Sequence, residues 1–173
     1  IPAVFEDLKA AGLIDSAGIS VNQSHETIDI LEADVFEAIQ TPINVFDQEI
    51  EKKNILSKLK QKQKIVVARS VFLQGLFFMS IDKLPQKIWH ASIYLNQLQK
   101  IAKEANRSVA DLVFSYVTRL EEITSIVIGV TSNKELITNV SLLNSNPLDE
   151  ITIAKIRRLF SKLPQHIITP AFW

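Results

Sequence analysis

A fourfold alternation constrains this chain more than any other feature: a short apolar run, a polar turn, then a segment with helical periodicity. The apolar runs are Ala17–Val21, Phe36–Gln40, Lys64–Ser70 and Ser125–Val130. Runs this short, bounded by turn residues, read as strands. Strands that alternate with helices argue βαβ units and a parallel sheet, with right-handed crossovers. The second strand should close before Thr41-Pro42, because proline has no N–H to give to a ladder. The consecutive apolar residues Ile65-Val66-Val67-Ala68 predict a third strand buried on both faces.

The helices are read from spacing and end signals. Phe5, Leu8 and Leu13 form an apolar stripe that ends near Gly12. Ser24 is placed to cap a helix running through Ala33. Residues 44–51 read as a loop, followed by a helix presenting Ile55, Leu56 and Leu59. A long loop over Val71–Lys87 holds a dense apolar cluster, Phe72 and Leu76–Met79, placed to act as a flap over a ligand or as a plug under the rim. Helices are predicted over Ile88–Ala105, Ser108–Leu120 and Asn133–Leu143. A further one starts at Asn146-Pro147-Leu148-Asp149-Glu150, with proline near the first turn and acids at the positive end.

Composition removes several classes of function. A chain of 173 residues is one domain by size, taken here as residues 1–173. Nineteen basic and nineteen acidic residues cancel, which leaves no electrostatic footprint for nucleic acid or an anionic membrane. There is no cysteine, hence no disulfide framework and no thiolate chemistry, and cytoplasm is the expected compartment. His25, His90 and His166 lie far apart and no metal-ligand spacing occurs, so no metal site is expected. Neither a nucleophile elbow nor a phosphate-loop motif is present, and four glycines are too few for a Gly-rich nucleotide fingerprint. Tyr94 and Tyr116 fall within helix patterns and read as packing residues. No apolar run approaches the ~18 residues of a membrane helix. The start Ile1-Pro2-Ala3, without methionine, reads as an internal point of a longer protein.

In parallel α/β folds, ligands sit at the C-terminal ends of the strands. Those ends carry Ser20, Gln40, Arg69-Ser70 and Gly129-Val130-Thr131-Ser132. The last runs from a strand into a helix, where free N–H groups and the helix dipole favour a phosphate. The Ser132-x-x-Glu135 spacing is equally that of an ordinary capping box. Arg69 suits a pyrophosphate or a substrate carboxylate, and suits a structural ion pair as well. Ser20 and Gln40 have the choice between bonding a ligand amide and tying down a neighbouring loop.

Four segments in order then carry a resemblance over essentially the whole chain. They are Gly18–Val21, Ile39–Asp47, Ala68–Leu76 and Ile128–Ser132, the last followed by Leu136 and Asn139. Together they resemble the C-terminal half of the aldo/keto reductase barrel. The closing Thr169-Pro170-Ala171-Phe172-Trp173 resembles the end of a bacterial branch associated with surface-polysaccharide genes.

The resemblance implies an α/β fold, strands five to eight of a (β/α)8 TIM barrel with their helices and a C-terminal helix. It implies carbonyl reduction by hydride from NADP or NAD in its reduced form, in a complete protein. The family's catalytic residues lie in the first four strands, so this chain contributes none and is expected to be inactive alone. Its implied cofactor residues are Ser20 and Gln40 at the nicotinamide amide, Arg69 where the family usually stacks an aromatic ring, and Ser70, Leu73 and Gly75 along the pyrophosphate. Gly129, Thr131 and Ser132 would take the adenosine phosphate end and Asn139 the adenine. Val21 stands where the family usually has Asn. Near the 2′-phosphate the family commonly has a basic residue; Thr131 is neutral and Glu135 acidic, with Lys134 beside them, so NADP and NAD both stay open. The expected partner is the missing N-terminal half or a second copy of the chain, with a small carbonyl compound as substrate of the complete protein. The rival reading is a non-catalytic half-barrel module that self-associates through open strand edges.

Overall fold

The computed structural model describes residues 2–173. Four parallel strands, β1 (Gly18–Ser20), β2 (Ala38–Pro42), β3 (Ile65–Arg69) and β4 (Ser125–Ile126), lie side by side in chain order. Chain order is what successive right-handed crossovers produce when each new strand joins the same edge. The connections carry α1 (Pro2–Ala10), α2 (Glu26–Ile30), α3 (Glu49–Lys52), α4 (Ile55–Gln61), α5 (Ala91–Glu104) and α6 (Val109–Thr118). After β4 come α7 (Asn133–Ser141), α8 (Glu150–Leu159) and α9 (Gln165–Ile168).

The two faces of the sheet differ. Successive strand residues point to opposite faces. Ile39, Thr41, Val66 and Ala68 are buried, and the apolar three of them join the core built with the helices. Ser20, Gln40, Ile65, Val67 and Arg69 alternate with them and are half-buried or exposed. The double burial expected for β3 is therefore corrected: one face is packed and the other is open, because no second layer lies over it. β4 is likewise shorter than the expected Ser125–Val130 run. Its ladder holds only Ser125 and Ile126, extended by the Val127 N–H donating to the Ala68 carbonyl. β2 runs two residues further than expected, with Pro42 opposite Arg69, and the Ile43 N–H makes the next bond, to the Arg69 carbonyl. Proline is tolerated because it sits at the last ladder position.

Helices α6, α7 and α8 start on a side-chain cap. The Ser108 hydroxyl caps α6 by accepting from the Asp111 N–H at 3.1 Å, and Asp149 caps α8 by accepting from the Thr152 N–H at 2.8 Å. Ser24 does not cap α2, which ends at Ile30 rather than Ala33. Its buried hydroxyl donates instead to Asp47 at 2.8 Å, a tertiary bond that a local reading does not see. Pro147 lies ahead of α8 rather than in its first turn, and its carbonyl accepts from Arg107 at 2.8 Å.

Residues 44–51 are not a plain loop. Asn44 Oδ1 accepts from the N–H groups of Phe46 and Asp47 at 2.9 and 3.0 Å, a side-chain turn. Asn44 Nδ2 donates to the Ser70 carbonyl at 3.2 Å, which ties the loop after β2 to the loop after β3. Residues 49–52 then form α3. Phe46 packs edge-on against Phe77 at 4.9 Å and tilted against Phe160 at 4.8 Å, joining that loop, the turn after β3 and the end of α8 in one aromatic contact. The expected loop over Val71–Lys87 is mostly 3-10 turns, over Leu73–Phe78, Ile81–Lys83 and Gln86–Ile88.

Candidate functional site

A cleft of about 820 Å³ opens at the C-terminal end of β3, between residues 69–78, the exit from β4 and the start of α7. Its volume falls within the roughly 300–1,000 Å³ typical of small-molecule sites. Arg69, Ser70, Gly75, Gly129, Ser132, Glu135 and Asn139 line it. These residues come from three separate segments, brought together because β3 and β4 are parallel neighbours and both end on this side.

Four of the sequence-derived residues lie elsewhere. Ser20 and Gln40 face each other on the open side of the sheet, with Ser20 Oγ donating to Gln40 Oε1 at 3.2 Å. Thr131 turns to Glu135 rather than to the cleft wall. The Leu73 side chain is fully buried in the core, so only its backbone is available to a ligand.

The wall after β3 has an unusual backbone. Ser70, Leu73, Gln74 and Gly75 adopt φ values of 57°, 46°, 51° and 83°. Left-handed geometry costs a non-glycine L-residue roughly 1–2 kcal/mol. Such positions cluster at ligand clamps, where the surroundings over-determine them. The turn also divides the apolar cluster. Leu76 and Phe77 are core, whereas Phe72 and the half-exposed Phe78 line the cleft with rings 5.2 Å apart. The segment is thus plug and wall at once.

The opposite wall is the start of α7. The Ser132 hydroxyl accepts from the Glu135 N–H at 3.2 Å, and Glu135 accepts from the Thr131 N–H at 2.7 Å. That amide holds the Glu135 carboxyl below its ordinary value. Only the first half of the capping box is formed, the Ser132 hydroxyl on the Glu135 N–H, while the Glu135 carboxylate takes the Thr131 N–H in place of that of Ser132; the same Ser132 and Glu135 face the cleft. Gly129 presents bare backbone, since a Cβ there would meet nothing within 4 Å.

Arg69 supplies a cation at the cleft floor. Its guanidinium donates to the Val21 carbonyl at 2.7 Å and to Ser70 Oγ at 3.1 Å. Nε is buried without a partner among the described residues. The ion pair considered for Arg69 is not formed: no carboxylate among the described residues lies within ion-pair distance of it.

Other groups are committed elsewhere. Tyr116 is pushed up to about 12 by burial and by the nearby Glu51 carboxylate, with the Arg119 guanidinium 4.3 Å over its ring. It packs and stays protonated. Among the described residues no cluster of three or more His, Cys, Asp or Glu could hold a metal ion, and no helix is long and apolar enough to cross a membrane.

The sequence reading missed Gln74 and Thr138 as lining residues. Gln74 was hidden by its left-handed backbone. Thr138 had a legible signal, lying four residues after Lys134, one turn along the same helix face.

Dinucleotide chemistry fits these residues. Open backbone at Gly75 and Gly129, a helix N-terminus, two cations in Arg69 and Lys134, and the aromatic pair Phe72–Phe78 line one cleft. Phosphates suit the first three features and a flat ring the last.

Comparison with known proteins gives the family. The sequence profile of the Aldo/keto reductase family matches residues 1–160. Sequence comparison with curated proteins gives no match. Among solved structures, the chain is similar to the aldo-keto reductase AKR11C1 from Bacillus halodurans in its holo form, at 21% identity and a TM-score of 0.73, over 95% of this chain and 57% of that one. It is also similar to the glycerol dehydrogenase AKR11B4 from Gluconobacter oxydans, at 21% identity and 0.69, over 98% and 55%. An aldo/keto reductase from Klebsiella pneumoniae, in complex with NADP and acetate, aligns at 18% identity and 0.65, over 94% and 54%. At these identities the likeness is one of fold, and the chain spans little more than half the length of the structures it matches. The profile covers nearly the entire sequence and the fold agrees with it, so this chain belongs to the aldo/keto reductase family.

Proposed function

We propose that this chain is the cofactor-holding half of an NAD(P)H-dependent aldo/keto reductase, strands five to eight of a (β/α)8 barrel forming a single unit over residues 1–173. The observation that carries the reading is the cleft at the ends of β3 and β4, where strained backbone, bare glycine backbone and a helix N-terminus face one another. The similar Klebsiella protein, solved with NADP, supports a nicotinamide dinucleotide as its occupant.

When bound, the reduced nicotinamide supplies a hydride to a carbonyl carbon. This chain's residues bind and orient it. Ser20 and Gln40 serve the carboxamide end on the open sheet face. Arg69, Ser70, the Leu73 backbone and Gly75 line the pyrophosphate path. Gly129 and Ser132 meet the phosphate at the adenosine end, with Thr131 behind them bonded to Glu135; Asn139 meets the adenine, and Lys134 and Glu135 flank the ribose. The proton donor lies outside this chain, in an N-terminal half that also covers the open face of β1–β4.

Titration with NADH and NADPH, followed by nicotinamide fluorescence, tests this directly. Saturable binding is expected, weakened about tenfold in Asn139→Ala, the loss of one to two hydrogen bonds. Absence of saturable binding for both dinucleotides sinks the reading.

A second reading is a non-catalytic half barrel that pairs with itself. One observation favours it: Val127 and Val130 after β4, Ile137 in α7 and Leu143 just beyond it are 50, 42, 71 and 69% exposed, beside an unpaired strand edge. Light scattering of the isolated chain separates the two. A dimer persisting on dilution supports self-pairing, and a monomer at high concentration removes it.

A further inference from the structure

We infer that Arg69 is an oxyanion receptor: it holds a carboxylate or phosphate group of a ligand at the floor of the cleft, and so selects for anionic ligands. The inference rests on reading this cleft as a ligand site and adds the chemistry of one subsite.

Three observations converge. The first is position. Arg69 is the last residue of β3, on the open face of the sheet, and its side chain lines the cleft. The second is charge. No carboxylate lies within ion-pair distance of the guanidinium among the described residues. Glu26, the acid that feels Arg69 at longer range, is bound to the N–H groups of Asn22 and Gln23 at 2.7 and 2.8 Å. The third is an unmet donor. Nη2 reaches the Val21 carbonyl and Nη1 reaches Ser70 Oγ, which fixes the guanidinium plane, while Nε is buried and has no acceptor.

Buried donors are normally satisfied, and buried charges are normally paired. A guanidinium held by two neutral oxygens, with no carboxylate on its charge and one N–H left on each Nη, matches a carboxylate or phosphate. Ser70 contributes to the same subsite. Its left-handed backbone, φ 57°, turns its hydroxyl to the guanidinium and its carbonyl back to Asn44. The arrangement is held from two sides before any ligand arrives, so little ordering cost falls on binding.

Two sources share this chemistry: a phosphate of the dinucleotide, and a carboxylate on the substrate. The test uses the 173-residue chain, with inorganic pyrophosphate as one probe and oxalate as the other. The readout is the arginine Nε–H proton–nitrogen correlation in the magnetic resonance spectrum, which needs no variant. The Arg69 Nε–H signal is expected to move saturably with at least one probe. Affinity for that probe should fall about tenfold or more in Arg69→Met and by a smaller factor in Arg69→Lys, which keeps the charge and loses the fork. A response to pyrophosphate alone assigns the subsite to the cofactor; a response to oxalate alone assigns it to an acidic carbonyl substrate. A signal that moves with neither probe, or undiminished binding in both variants, overturns the inference. The nicotinamide titration above is independent of it. Dinucleotide binding with a silent Arg69 removes this proposal alone, and an anion response without dinucleotide binding removes the cofactor reading alone.

Discussion

Gly129 shows how a single residue separates folding from binding. A Cβ added there would meet nothing within 4 Å, so Gly129→Ala should change unfolding free energy by no more than about 0.5 kcal/mol. The same methyl group would stand between the backbone and any phosphate in the cleft. Thermal unfolding should therefore be unchanged while dinucleotide affinity falls; a destabilised variant with unaltered binding would reverse that assignment. Asp47 is the converse, a residue of the family-like Ile39–Asp47 segment that serves the fold. Burial pushes its carboxyl above its ordinary value, against the Ser24 hydroxyl bond that opposes the shift. The folded state thus holds the proton more tightly than the unfolded chain. The contribution of Asp47 to stability is fully present below the ordinary carboxylate range and is lost as pH rises through its raised folded value. Asp47→Asn, which keeps an acceptor for Ser24, should flatten that loss. Denaturant midpoints across mildly acidic to neutral pH check this, and a midpoint profile identical to that of the unsubstituted protein would remove Asp47 as its source.

Among the elements, those with a strong local signal were legible and those set by tertiary contacts were not. α5, α6 and α7 fall within two or three residues of their expected spans, because apolar periodicity and end signals agree there, whereas α8 starts at Glu150, four residues after the expected Asn146. α3 was read as loop because four residues show no period. The strands were placed correctly in order, yet their faces were not. Ile65-Val66-Val67-Ala68 is uniformly apolar, a pattern that a sheet buried on both sides requires, and only alternate residues are buried in this chain. The sequence of β3 is thus written for a cover over its second face. Element ends respond to single substitutions. Asp149→Ala removes the acceptor for the Thr152 N–H and hydroxyl at the start of α8 and should cost about 1 kcal/mol of stability. Chemical denaturation checks it, and no change would mean that the Arg107–Pro147 bond holds that end alone.

At the scale of the whole molecule, the site was legible as positions and not as directions. The reading that ligands gather at strand C-termini named Arg69, Ser70, Gly129 and Ser132 of the cleft, and the family resemblance, not the strand pattern, supplied Gly75, Glu135 and Asn139. Neither could foresee that left-handed backbone at Ser70, Leu73, Gln74 and Gly75 would turn the Leu73 side chain into the core and Gln74 into the cleft. Ser20 and Gln40 lie on the open face of the sheet, and α7 buries none of its residues. An uncovered sheet face and an unpacked helix belong to one condition, a parallel sheet closed on one side only. The proposed role of this chain is to position a nicotinamide dinucleotide and to supply no chemistry of its own. It is tested most directly by saturating the pure 173-residue chain with NADPH, adding a panel of aldehydes and ketones, and following the absorbance of the reduced nicotinamide. NADPH is expected to bind, and its absorbance to stay constant with every carbonyl compound. Steady loss of that absorbance, with alcohol formed in equal amount, would show that a proton donor lies within these residues and would contradict it.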